Sequence, residues 1–333
     1  MAQAILAQEH SVLRQAFGTR DRAYRHIAAM FSMRLFGNPA FKSAVTCSVD
    51  AQQARHAASL KTLKARMRSF NNMKKITKSM KMVAASKLKK DESRMHVALP
   101  FVRPVQDLFA RLPRMDRPGA TIYFGVTSDK GLCGGVNSAV AKMCRRGIAA
   151  DEAAGNSAKY MGIGAKGSAA LKRFYGDRFT TVFEECAKVP WTFGAASIIA
   201  EKVIATNPMK MTVCSNKFRS LVAYETQAAQ VVTLNEAMTM DRAEFSKAMD
   251  VYSFEPSIYE VWNDLHEFYY ATVIHGLYLE GAVSEQSSRM AAMESASKNA
   301  NEMLEKVSLV YNRARQAKIT TELCEIISGA SAV

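Results

Sequence analysis

The chain has 333 residues and a mass of 36.7 kDa, and it is 48% hydrophobic and 23% charged, which excludes a disordered polymer and leaves room for about two folded domains. Its net charge of +15 is local: residues 59–95 hold 12 Lys and Arg against 2 Asp and Glu, whereas residues 96–333 carry only +1 and residues 1–58 carry +4. The six cysteines, Cys47, Cys133, Cys144, Cys186, Cys214 and Cys324, form no C-x-x-C or C-x-x-H pair, and no run of 18 apolar residues supplies a membrane-spanning helix.

Residues 1–55 are Arg-rich and acid-poor, with Arg14, Arg20, Arg22, Arg25, Arg34 and Arg55 against Glu9, Asp21 and Asp50. That composition predicts an organelle import presequence, the alternative being a flexible basic tail. From Ser59, apolar residues Leu60, Leu63, Met67, Phe70, Met73, Ile76, Met80 and Val83 recur every three or four positions. This spacing predicts one buried stripe on a helix that runs at least to Leu99, with a helical segment spanning 59–110.

The middle, 119–235, alternates strand and helix. Strands are predicted at 121–127, 159–163 and 180–183, helices at 136–146, 168–174 and 195–205, and a hairpin of 211–215 with 220–226 around Asn216-Lys217-Phe218. No proline follows Pro256, and Leu265, Phe268, Thr272, Gly276, Leu279, Val283, Met290, Met293, Ala300, Leu304, Val307, Tyr311 and Ala314 form a seam of period near 3.5, so 256–333 reads as a second long helix. About 70 helical residues extend roughly 105 Å, more than the ~50 Å diameter of a compact chain of this length, so the helix is expected to protrude. The fold class expected is α/β: a long antiparallel coiled coil of the N- and C-terminal helices with an inserted Rossmann-like α/β domain. The Ser-, Ala- and Met-rich stretch 285–305 is expected to be solvated or to lie loosely inside another protein.

Motifs that suggest chemistry have bland competitors. Gly162-Ile163-Gly164-Ala165-Lys166-Gly167 matches G-x-G-x-x-G with Glu184 and Glu185 about 20 residues on, the pattern of a dinucleotide-binding oxidoreductase. It sits on the second strand–helix unit, so a tight packing turn is the stronger reading. Gly131-Leu132-Cys133-Gly134-Gly135 lacks the G-K-[ST] ending of a phosphate loop, and no histidine near Cys133 makes it a nucleophile. His266 and His275, nine residues apart, fall on opposite helix faces and cannot share a metal. The basic helix could bind nucleic acid, but its interleaved apolar stripe favours an acidic protein partner.

Long stretches at both ends carry a resemblance: MKKITKSMKMVAASKL at 73–88, SSRMAAM at 287–293 and VYNRARQAKITTELCEIISGASAV at 310–333, with SDKGLCGG at 128–135 and VCSNKF at 213–218. These resemble the gamma subunit of F-type ATP synthase, in its mitochondrial version. The resemblance covers about 59–333, and it implies a rotor shaft inside a hexamer of alternating alpha and beta subunits. The α/β domain would be a foot on the membrane c-ring with delta and epsilon subunits. It further implies no catalytic residue, cofactor or metal, no nucleic acid, a matrix-side location at the mitochondrial inner membrane, and membrane contact only through the c-ring. By position in the motifs, Met80, Lys81, Arg289, Arg315, Gln316, Thr320 and Glu322 would face the hexamer, with Ile326 to Val333 turning in an apolar bearing and Lys74 to Lys90 passing acidic levers of the beta subunits. Tyr224 and Glu225, within Tyr224 to Gln230, would meet the c-ring. The paired regulatory cysteines of the chloroplast version have no counterpart.

Overall fold

A computed structural model describes residues 39–113, 119–221 and 223–332, with side chains from Leu60 onward. The presequence expected over 1–55 lies outside the described residues for 1–38, and only helical backbone is described over 39–55. The elements in order are α1 (Pro39–Ala110), β1 (Thr121–Val126), α2 (Val136–Ala153), β2 (Ala158–Ile163), α3 (Ala165–Tyr175), a 3-10 turn (Gly176–Arg178), β3 (Phe179–Phe183), α4 (Phe193–Ile204), β4 (Lys210–Phe218), β5 (Tyr224–Val231), α5 (Leu234–Met238), α6 (Arg242–Met249) and α7 (Ile258–Ala330). The chain divides into two compact units, Asn71–Glu302 and Met1–Phe70 with Met303–Val333.

Within the larger unit, one five-stranded sheet has the order β3-β2-β1-β4-β5, parallel except for β5, which pairs antiparallel to β4. Strand alternation divides the core. Tyr123, Ala158, Tyr160 and Cys214 point to one face and pack with Val140, Cys144 and Ile148 of α2 and Leu171 of α3. Ile122, Phe124, Met161, Ile163, Met211 and Val213 point to the other, against Ala196, Ile199 and Val203 of α4 and Ile274 and Leu277 of α7. Burial on both faces explains why the central strand β1, TIYFGV, is a nearly continuous apolar run buried along its whole length, whereas the edge strands β3 and β5 are only partly buried.

The expected hairpin turn around Asn216-Lys217-Phe218 is displaced. Those residues remain in β4, paired with Thr226, Glu225 and Tyr224, and the chain reverses over 219–223. Asn216 is a buried strand residue because it is satisfied there: Thr226 Oγ1 donates to its Oδ1 at 2.6 Å and its Nδ2 donates to the Val136 carbonyl at 3.5 Å. The segment after β5 opens with a capping box, Thr233 Oγ1 accepting from Glu236 N at 3.1 Å.

α1 runs through Pro100 and Pro104. Each proline removes one intrahelical donor, and burial of Met95, Val102 and Phe109 around them holds the helix together. Phe109 stacks on Tyr269 with centroids 3.8 Å apart and lies 5.3 Å from Trp262, tying the end of α1 to the start of α7.

Candidate partner-binding surface

In the larger unit α1 and α7 pair in opposite directions. Lys74 Nζ donates to Asn301 Oδ1 at 2.6 Å, Lys81 Nζ lies 3.0 Å from Glu294 Oε1, and Leu88 and Met95 cluster with Leu279 and Val283. The buried line of α1 therefore passes through Lys74, Thr77, Lys81, Ala84, Leu88, Asp91 and Met95, a period near 3.5. This corrects the sequence expectation, which carried the stripe through Met73, Ile76 and Val83. Those three are 51, 59 and 56% exposed, because the polar heads of Lys74 and Lys81 find partners on α7 while their aliphatic stems fill the seam.

The expected partner residues distribute unevenly. Met80 is half-buried beside the seam, and Lys81 is committed to Glu294. Arg289 departs from its expected outward position. It is 8% exposed, and its guanidinium donates to Glu285, to Gln286 Oε1 at 3.0 Å and to the Gly131 carbonyl at 3.4 Å. The stretch 285–305 is corrected in part: Gln286, Ser287, Met293 and Ala300 are buried against the chain itself, while Ala291, Ser295, Lys298 and Asn299 are exposed. Tyr224 is half-buried beside Gly135, and Glu225 is exposed, accepting from Arg219 at 3.0 and 2.7 Å.

In the smaller unit, Leu304, Val307, Tyr311, Ala314 and Lys318 are half-buried along one line of α7, as are Leu60, Leu63, Met67 and Phe70 on α1. Arg315, Gln316, Thr320, Glu322 and Ile326 are all exposed. Thr320 Oγ1 returns to the Gln316 carbonyl at 3.0 Å and Glu322 lies 3.3 Å from Lys318. From Ile319 to Ala332 every residue is exposed, including Ile319, Leu323, Ile326 and Ile327. These four sit at i, i+4, i+7 and i+8, one face of the helix.

The glycine motifs are packing devices. Gly164 has φ +98°, and a Cβ there would overlap the Thr127 carbonyl; at Gly167 it would overlap the Thr127 side chain. Thr127, just past the end of β1, closes the turn at both glycines, and the first backbone donor of α3, Ala165 N, gives its hydrogen to Asp129 Oδ1 at 3.1 Å. A carboxylate of the chain thus holds the place where a dinucleotide-binding turn holds phosphate. Nearby, a cavity of about 370 Å³ opens among Ser128, Lys130, Trp191 and Glu285, and burial raises the Glu285 carboxyl above its ordinary range although Arg289 opposes the shift. Cys133 is buried, with Asn137 Nδ2 3.2 Å from its sulfur. His266 is buried with Nε2 3.0 Å from the Val232 carbonyl, and no cluster of three metal-ligating side chains occurs among the described residues. Sequence reasoning missed the role of Ser284, Ser287 and Ser288, whose i, i+3, i+4 spacing on α7 was the available signal.

The ATP synthase family model matches residues 59–333. The chain is 39% identical over 295 residues to the mitochondrial ATP synthase subunit gamma of Drosophila melanogaster, covering 87% of this chain and 96% of the relative. Among solved structures, a chain from the central stalk and c-ring of the Tetrahymena thermophila mitochondrial ATP synthase is 29% identical with a TM-score of 0.53, covering 67% of this chain and 99% of that one. A chain of the Euglena gracilis mitochondrial ATP synthase shares the fold at a TM-score of 0.69 and 18% identity, covering 83% and 95%. On these matches the chain belongs to the ATP synthase gamma-subunit family, in its mitochondrial branch.

Proposed function

We propose that the chain is the non-catalytic central shaft of a proton-driven rotary ATP synthase. In this reading α1 and α7 form an antiparallel coiled coil that turns inside a ring of alternating alpha and beta subunits. The Rossmann-like α/β domain is the foot, set with delta and epsilon subunits on a c-ring at the matrix side of the inner membrane. The observation that carries the reading is the uncovered apolar face at the end of α7, where Ile319, Leu323, Ile326 and Ile327 are 55, 55, 68 and 59% exposed. A face of this kind calls for a protein partner.

The mechanism follows from differential contact. A shaft that touched all three catalytic sites equally would shift none of their equilibria, so different sides must present different chemistry. α1 presents the uncovered apolar residues Met73, Ile76 and Val83 together with exposed Lys75, Lys78, Lys87, Lys89 and Lys90. α7 presents exposed Arg315, Gln316, Thr320 and Glu322 above its apolar face. Basic side chains on one helix attract acidic loops as they pass, and the mixed polar set on the other holds a loop at one angle and releases it at the next. No helix among the described residues is long and apolar enough to cross a membrane, and in this reading the membrane is met through the c-ring.

The test is recovery of the tagged full-length chain from detergent-solubilised mitochondria. Alpha, beta and c subunits should copurify in a complex that hydrolyses ATP, and the chain by itself should not. Recovery without alpha and beta subunits overturns the reading.

A further inference from the structure

Hydroxyls inside a helix ordinarily return to a carbonyl one turn back. Thr77, Ser79, Ser86, Thr320 and Thr321 all do so, with bonds to Met73, Lys75, Val83, Gln316 and Ala317. A run of α7 does the opposite. Ser284 Oγ donates to the Asn216 carbonyl at 3.4 Å, Ser287 Oγ to Leu221 at 2.6 Å, Ser288 Oγ to Cys133 at 2.7 Å, and Arg289 Nη2 to Gly131 at 3.4 Å. Within six residues, four side chains reach out of the helix to backbone carbonyls of β4, of the β4–β5 turn and of the loop before α2.

The surroundings are built for this. Ser284 and Ser287 are buried, Glu285 and Gln286 hold the Arg289 guanidinium in place, and Gly134, at φ +63°, brings the loop so close that a Cβ there would stand 2.9 Å from Ser288 Oγ. Beyond this run, toward Glu302, α7 engages α1 through Glu294 and Asn301. The four bonds therefore lie where the helix pair leaves the sheet domain.

We propose that Ser284, Ser287, Ser288 and Arg289 are positioning residues for rotary coupling, a polar latch that passes torque between the sheet domain and the helix pair. The proposal rests on the rotor reading above. Apolar packing between helix and sheet is non-directional: it resists separation and permits slip. Hydrogen bonds to fixed carbonyls are directional and weaken steeply when rotated, so they oppose twisting of α7 against the sheet. Both loops are held from one face of the helix, where Ser284, Ser287 and Ser288 stand at i, i+3 and i+4.

The experiment uses the assembled complex carrying Ser287→Ala with Ser288→Ala, beside Ser86→Ala, whose hydroxyl serves only its own helix. Hydrogen exchange over 131–135 and 219–223 should accelerate by about fivefold for each bond lost. ATP hydrolysis should stay near wild type, while protons pumped per ATP hydrolysed fall and the angular fluctuations of a probe on the foot broaden. Replacing Ser288→Ala by Ser288→Thr, which keeps the hydroxyl, in the Ser287→Ala background should restore most of the coupling. Should the double variant fail to assemble, Ser287→Ala alone is measured in the same way with a smaller change expected. Accelerated exchange with unchanged pumping ratio and angular stiffness reduces these residues to structural ties and overturns the proposal, as does unchanged exchange. A wild-type complex whose chain does not turn with the c-ring refutes the rotor reading itself, independently of any variant.

Discussion

Acid should loosen the junction of α1 and α7 through one residue, His266. Its side chain is 2% exposed, surrounded by the rings of Phe109, Trp262, Tyr269 and Tyr270, with Nε2 3.0 Å from the Val232 carbonyl. Burial in this aromatic cage pushes its pKa down to about 4, against a partial upward pull from the Val232 carbonyl. The folded value lies below the ordinary value of 6.5, so the unfolded chain takes up the proton first and stability falls with pH from about 6.5 downward. The full difference of about 2.5 pH units is worth roughly 3 kcal/mol, of which about 2 kcal/mol is already lost at pH 5. For a structure of this size that loss lowers Tm by roughly 4–8 °C. Buried carboxyls act in the opposite sense: Asp91, Glu280 and Glu285 are raised by burial, so their protonation favours the folded state as pH falls. The comparison that isolates His266 is therefore the wild type against His266→Gln, whose amide retains a donor for Val232 and does not titrate. Thermal melts between pH 7.5 and 5 should show the wild type losing about 2 kcal/mol more than the variant. Parallel profiles would refute the assignment of a neutral, caged imidazole.

Two glycines separate packing from conformational freedom. Gly164→Ala should destabilise by about 3 kcal/mol or more, since it combines a positive φ with overlap on the Thr127 carbonyl, whereas Gly176→Ala, at helical φ −53° with open space around it, should stabilise by roughly 0.5–1 kcal/mol in urea titrations. Leu323→Asp with Ile326→Asp should leave the melting of the isolated chain within about 0.5 kcal/mol, because both side chains are exposed. The same pair should sharply reduce recovery of alpha and beta subunits; full recovery would remove this face from the contact surface.

Much of the fold was legible because periodicity reports burial. Val136, Val140, Cys144 and Ile148 recur at helical spacing and are all buried, and the seam of α7 through Thr272, Leu279, Val283 and Met293 is buried as its 3.5 period required. The seam of α1 holds through Leu60, Leu63, Met67 and Phe70, but beyond them it was misplaced at Met73, Ile76 and Val83 because hydrophobicity was taken as the marker of burial. Lys74 and Lys81 occupy it through partners 227 and 213 positions away in sequence, which no local window contains. Asn216 misled in the same way, since an asparagine before a charged residue signals a turn until Thr226 and Val136 are placed around it. Of the expected contact surface, the exposed set at 315–326 is open in the structure, whereas Arg289 turned inward to Gly131.

The sequence by itself determined the two long helices, the alternating α/β middle and the concentration of positive charge on one helix, because period, proline placement and charge count are local properties of the chain. The tertiary structure alone decided which of those charges are spent. Lys74 and Lys81 are consumed by Asn301 and Glu294, while Lys75, Lys78, Lys87, Lys89 and Lys90 stay exposed. The physical reason is that a charge near an apolar seam settles wherever its stem can be buried and its head paired, and the pairing atom lies on an element remote in sequence.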